Sequence, residues 1–210
     1  MLEDKDIGAT SAQSAESSGA ADDRRQQQRH IAVFRVGKLI TGSGQEFCLI
    51  RNISVGGLMA NIYSPHKVGE LLAIELKTGH VVTGRIVWAR ENKIGVAFDE
   101  QIDVAEILAS QAGETGEDFH PRMPRIEIRC PARLRVGARY QRVEICDISQ
   151  GGAKIAFTEA LTVGAAVVLL VDGLSAQPGT VRWAQNGRAG IAFNIAIPFG
   201  EIASWTTRHY

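Results

Sequence analysis

Asn52-Ile53-Ser54-Val55-Gly56-Gly57 recurs 95 positions along the chain as Asp147-Ile148-Ser149-Gln150-Gly151-Gly152. Working outward at the same offset, with no gap, Val68-Gly69 meets Val163-Gly164. Gly84, Trp88, Ala89, Gly95, Ala97 and Phe98 then meet Gly179, Trp183, Ala184, Gly190, Ala192 and Phe193. Tryptophan occurs three times in 210 residues, so a Trp pair inside such a match marks a repeat. Two copies of one small domain account for it.

Each copy reads as antiparallel β. In the second, Ile126, Ile128, Cys130, Ala132, Leu134 and Val136 alternate with Arg125, Glu127, Arg129, Arg133 and Arg135. That period of two gives one strand, or two, with one face buried and one wet. Further strands are predicted at 46–53, 57–62, 71–77, 80–89 and 93–98, and the series repeats in the second copy, ending at 188–193. Turn signals separate them at Thr78-Gly79, Glu91-Asn92, Asp172-Gly173 and Asn186-Gly187. About six short strands per copy favour a closed barrel, which also removes exposed strand edges. The fold class expected is mainly all-β: two tandem six-stranded antiparallel barrels, each followed by a short helix. Ile102, Val104, Ala105, Leu108 and Ala109 suggest one helix, beginning near Asp99. Ile202, Ala203 and Trp205 suggest the other. The apolar run from Leu161 to Val171 reads as a buried strand, since it is about half the length a bilayer requires.

The domain boundaries expected are 1–23 as a disordered tail, 24–111 as the first domain, 112–120 as a linker and 121–210 as the second domain. The tail is polar and has too little apolar surface to offset the entropy of ordering, and no secretory signal is visible in it. Lys and Arg number 23, as do Asp and Glu. With zero net charge no global field steers the chain toward nucleic acid or an anionic membrane. Phosphate recognition would need local arginine clusters. Cys48, Cys130 and Cys146 lack CxxC spacing, so small apolar packing in a reducing cytoplasm fits better than a disulfide framework or zinc. His30 and His66 have no metal-ligand spacing, no nucleophile and base are paired, and no P-loop is present, so no catalytic or metal site is expected.

The chemistry-bearing residues lie in the first copy. Arg25-Gln26-Gln27-Gln28-Arg29 precedes the Asn52 to Gly57 stretch, with Arg29 standing 23 residues before Asn52. This order of RxxxR and [DN]xSxxG resembles the PilZ domain family. The resemblance covers nearly the whole chain apart from the tail. It implies six-stranded barrels that bind cyclic di-GMP, a bacterial second messenger, as a ligand rather than a cofactor. It also implies binding roles for Arg25, Arg29, Asn52, Ser54, Gly56 and Gly57, with Arg24 adding a phosphate contact. The residue types suit the ligand. Guanidinium forks onto phosphate or guanine edges and stacks on rings. Asn52 and Ser54, two apart on a strand, share a face and carry hydrogen-bonding groups. Gly56-Gly57 permits a sharp turn and close approach of a ligand. The blander readings stay open: the arginines beside Asp22 and Asp23 as a solvated charged segment, and the Asn52 corner as architecture with Ser54 bonded to local backbone. Trp88 and Trp183, inside alternating strands, read as core.

The second copy keeps Asp147, Ser149 and Gly152 but loses the arginine pair, since Arg25 and Arg29 fall opposite His120 and Pro124. Arg125 and Arg129 have RxxxR spacing but lie in the alternating strand and read as outward-facing. Arg125, Asp147, Ser149 and Gly152 are therefore expected to form a degenerate second site. Two lost charge-assisted contacts of roughly 1.5–3 kcal/mol each would take a micromolar site to about millimolar. Arg122, Arg125, Arg129, Arg133, Arg135, Arg139 and Arg142 fall close together with Glu127. They read as solvated strand edges, or alternatively as a basic face for a partner protein or nucleic acid. The function expected is a non-enzymatic cytoplasmic receptor with no membrane insertion. It would relay the messenger to a downstream protein governing motility, attachment or exopolysaccharide output. The alternatives are a nucleotide-free interaction module and, less expected, an arginine-faced nucleic-acid binder.

Overall fold

The computed structural model describes residues 31–76, 79–109 and 123–209. In the first copy β1 (Ile31–Thr41), β2 (Gly44–Ser54), β3 (Gly57–Asn61), β4 (Leu71–Glu75), β5 (Val81–Arg90) and β6 (Lys93–Phe98) close into a barrel. Its order is β1-β2-β3-β6-β5-β4, sealed by antiparallel pairing of β1 with β4. The second copy repeats it with β7 (Ile126–Val136), β8 (Arg139–Ser149), β9 (Gly152–Ala156), β10 (Ala166–Leu170), β11 (Gln177–Gln185) and β12 (Arg188–Phe193). There β7 closes onto β10. A short helix follows each barrel, α1 (Val104–Ala109) and α2 (Phe199–Thr206). None of the helices described is long and apolar enough to cross a membrane.

The period-two reading holds best in β7, which buries Ile126, Ile128, Cys130, Ala132 and Leu134 and exposes Glu127, Arg129, Arg133 and Arg135. The Asn186-Gly187 turn has φ of 52° and 70°, the left-handed pair that a two-residue hairpin between twisted strands requires. Three expectations need correction. The run from Leu161 to Val171 is a strand only over Ala166–Leu170, because Gly164 turns the chain at φ 86° and leaves Val163 exposed. The first helix begins at Val104 rather than near Asp99. Asp103 Oδ1 accepts the Ala105 N–H at 2.8 Å, while the Ile102 N–H donates to the Val55 carbonyl and ties the preceding segment to the β2–β3 corner. Finally β1, which the sequence pattern did not single out, is a full eleven-residue strand. Its alternation is masked because Val36 packs outside the first barrel, against the second core.

The cores are stacks of inward aliphatic side chains. Leu39, Ile50, Ile74, Ile86 and Ile94 fill the first barrel, and Leu134, Ile145, Ile155 and Leu169 the second, where Trp205 of α2 closes one end. Phe47 departs from this plan. It lies on β2 yet is 1% exposed and belongs to the second core. Its ring meets Phe199 of α2 edge-on at 6.3 Å, Tyr63 meets the same ring at 5.6 Å, and the Glu127 N–H donates to Gln45 Oε1. The barrels thus share an apolar seam centred on β2.

Candidate functional site

The repeated stretch forms the end of β2, the corner and the start of β3. Ser54 Oγ donates to the Gly57 carbonyl at 3.1 Å, and Ser149 Oγ to the Gly152 carbonyl at 3.2 Å. The serine therefore fastens the corner in both copies. Gly57 is fixed by packing: a Cβ there would stand 2.3 Å from the Val96 carbonyl oxygen, and one on Gly152 would stand 2.4 Å from that of Ile191. The chain does turn sharply here, through Val55 and Gly56 between the paired Ser54 and Gly57, and it does so without a positive φ at either glycine. Only Gly56 has open space around it.

Register places the rest. Across the first barrel Ala32, Asn52, Met59, Gly95 and Trp88 are successive cross-strand partners on β1, β2, β3, β6 and β5. Asn52, Ser54, Gly56, Gly57, Met59 and Trp88 line a cleft of about 330 Å³ whose remaining walls come from β5 and β6. The Asn52 carboxamide has no hydrogen-bond partner among the described residues and so is free to bond a ligand in the cleft. Arg24, Arg25 and Arg29 lie outside the described residues. The β1 register does bring the chain to this place, however: Ile31, two residues after Arg29, is opposite Ile53.

Trp88 was expected in the core and is not there. A bulge between Ile86 and Trp88 breaks the alternation of β5, and a second between Val181 and Trp183 does the same in β11. Bulges re-aim a side chain. Trp88 is accordingly half-buried on the outer surface and Trp183 is 44% exposed. The indole of Trp88 lies across Gly95, where a Cβ would come within 1.9 Å of Nε1; Gly190 stands in the same relation to Trp183. Sequence reasoning missed Met59, Trp88 and Gly95 as cleft residues. The signal available was the coincident repetition of Trp and Gly seven positions apart.

The second barrel aligns Glu127, Asp147, Lys154, Gly190 and Trp183 in the same row. Here the polar groups are paired with one another. Asp147 accepts from Arg125 Nη1 at 2.6 Å through Oδ1 and from Lys154 Nζ at 2.7 Å through Oδ2. Arg125 is thus not merely outward-facing, as the alternation implied. It stands just before β7 and reaches back to the corner. Asp147, Ser149, Gly152 and Arg125 do come together, but with both carboxylate oxygens already engaged.

Two further groups are unusual. His66 has a side chain only 5% exposed, with Nε2 2.8 Å from Glu46 Oε1 and Nδ1 3.1 Å from Glu70 Oε2. The hydrogen bond to Glu46 raises its pKa above the ordinary histidine value, against the opposing effect of burial. Cys48, fully buried near Glu46, has its thiol pKa pushed up to about 12 by desolvation. Cys130 is also buried, whereas Cys146 is partly accessible, and all three are free thiols. No His, Cys, Asp or Glu cluster among the described residues is placed to hold a metal ion.

The chain is thus two closed six-stranded β-barrels with equivalent rows of cross-strand residues, and the first carries a neutral cleft of amide, thioether and indole groups beside the start of its first strand. The chain matches the PilZ domain family model over residues 23–111 and again over 120–203, and it belongs to that family as a tandem PilZ-domain protein. It is similar to the Borreliella burgdorferi PlzA protein, solved in complex with c-di-GMP, at 15% identity and TM-score 0.36 over 88% of this chain and 90% of that one. It is also similar to Escherichia coli YcgR in complex with c-di-GMP, at 12% identity and TM-score 0.34 over 90% and 87%. The Bacillus subtilis inhibitor of motility MotI aligns at 10% identity and TM-score 0.34 over 85% and 97%. Among curated proteins none matches significantly.

Proposed function

We propose that the protein is a non-enzymatic cyclic di-GMP receptor whose binding unit is the first domain, residues 24–111, and whose second barrel is a relay that does not bind the messenger. The observation that carries this reading is the contrast between the two equivalent rows. In the first barrel Asn52, Met59, Gly95 and Trp88 form a neutral surface suited to a purine face. In the second, Asp147 and Lys154 replace the amide and the thioether and neutralise each other. Asp147 fits the [DN] position of the motif, but Arg125 and Lys154 engage both of its carboxylate oxygens, and freeing them would require breaking two charge-assisted pairs.

In this reading Arg25 and Arg29 fork onto the phosphates or guanine edges, with Arg24 beside them. Asn52 bonds a base edge or phosphate, Trp88 and Met59 carry the ring, and Ser54, Gly56 and Gly57 hold the corner to which the ligand is fitted. Relay is supported by the two ends of one strand. β2 carries Asn52 and Ser54 at the cleft and Gln45 and Phe47 at the seam with the second barrel. A displacement at the corner can thus pass along one continuous strand to the interdomain contact and be read there by a downstream protein partner. Cytoplasmic residence follows from the messenger's own compartment.

Calorimetric titration of the full chain with cyclic di-GMP tests the proposal. One site per chain, filled by a monomer or by a self-stacked dimer, is expected, and R25A/R29A should abolish it while leaving the melting profile intact. Two equivalent sites would refute the role given to the second barrel. Unchanged binding by R25A/R29A would refute the site itself.

A further inference from the structure

The β7–β8 face of the second barrel carries charge that the messenger site does not use. Arg129, Arg133 and Arg135 on β7 and Arg139 and Arg142 on β8 are exposed, and none has a carboxylate partner among the described residues. Arg133 stands opposite Arg142, and Arg135 opposite Tyr140, whose side chain is also exposed. Like charges directly opposed across two strands destabilise a sheet, so the fold holds a repulsion that a bound anion would relieve. Residues 123–209 contain ten Lys and Arg against six Asp and Glu, an excess of four positive charges within a chain of zero net charge. Because β9 pairs with β8 only over Glu144–Ser149, the stretch from Arg139 to Val143 is open on that side.

The repeat identifies what this face has replaced. At the 95-residue offset it corresponds to the part of the first barrel that receives the second. Phe47, Val36 and Tyr63, the apolar groups of the seam, become Arg142, Pro131 and Thr158, and Ile40 becomes Arg135. The apolar centre that a protein interface requires is gone. In its place are planar forked donors, set about 6.6 Å apart where they are two residues apart on a strand, and one exposed aromatic ring. Guanidinium groups match phosphate oxygens bidentately, and an aromatic ring among them offers a base a stacking surface. We propose that this face binds nucleic acid, with phosphate contacts from Arg129, Arg133, Arg135 and Arg142, which share the outward side of β7 and β8, and base stacking on Tyr140. The inference is independent of messenger binding, which belongs to the other barrel.

Fluorescence polarisation with labelled 20-nucleotide single-stranded DNA, single-stranded RNA and a 20-base-pair duplex tests it on the full chain. About four neutralised phosphates should weaken binding roughly 50- to 150-fold between 50 and 200 mM salt. R133E/R142E should lose at least tenfold in affinity, whereas R182E/R188E, which reverses the same number of charges on β11 and β12, should lose much less. Should R133E/R142E fold poorly, R133Q/R142Q removes the opposed charges without reversing them. It should melt no lower than the parent chain and still lose severalfold. No binding of any probe at 50 mM salt would overturn the inference, as would equal losses in the two charge-reversal variants. Competition by polyglutamate as effective as that by oligonucleotide would assign the face to an acidic protein and overturn it too. Titration of R133E/R142E with cyclic di-GMP should match the parent chain, which keeps this result separate from any failure of the messenger site.

Discussion

Gly95 lacks a side chain because an indole occupies the space where its Cβ would be. Gly95→Ala should lift Trp88 off the sheet and spoil the cleft, and Trp88→Ala should remove the surface altogether. With base–aromatic stacking worth about 1–3 kcal/mol, each substitution is expected to weaken cyclic di-GMP roughly tenfold to a hundredfold by calorimetry. The corner glycines separate by stability instead. Gly57→Ala drives a methyl into the Val96 carbonyl and should cost about 1–3 kcal/mol, whereas Gly56→Ala meets nothing within 4 Å and should be near neutral in denaturant unfolding. At this scale the sequence was half legible. Asn52 and Ser54 were readable from their motif, and they line one cleft. Trp88 was not, because strand periodicity assigns inside and outside only until a bulge resets the count.

β2 joins three environments. Its C-terminal end forms the cleft and its N-terminal end the seam, where Glu46, between Gln45 and Phe47, enters a buried pairing with His66. Since the pairing raises the folded-state pKa of His66 above its unfolded value of 6.5, its stabilisation is fully present below that value. It is lost as pH rises through the folded-state pKa. The denaturation midpoint should therefore fall as pH is raised above 6.5, and His66→Gln should flatten that part of the profile. Strand identity was legible wherever one face is wet, as in β7 and the hairpins with Asn186-Gly187 or Glu91-Asn92 at their tips. It failed for β1, whose outer face is itself covered at Val36, so that no alternation remains to be read. Helix starts failed for a different reason: the segment before α1 is held by a backbone bond from Ile102 to Val55, a long-range contact that no local pattern encodes.

For the molecule as a whole, the repeat foretold two barrels but not how they meet. Phe47 had no distinguishing mark in the sequence, and its role depends on the second barrel's Phe199 being across from it. Phe47→Ala should cost about 3–5 kcal/mol, in the range of large aromatic truncations. It should also split chemical unfolding into two transitions, one per barrel, when followed by tryptophan fluorescence and circular dichroism.

The seam joins unlike faces of like units: β2 of the first barrel against α2 and the start of β7 of the second. A contact between unlike faces does not close on itself, and repeated from unit to unit it generates a filament instead of a finite particle. The position that would recruit a third unit is occupied by Arg142, not by a second phenylalanine. As in solenoid proteins, where a polar terminal repeat opposes end-to-end growth, a guanidinium in the place of the phenylalanine disfavours the same seam forming between the second barrel and another unit.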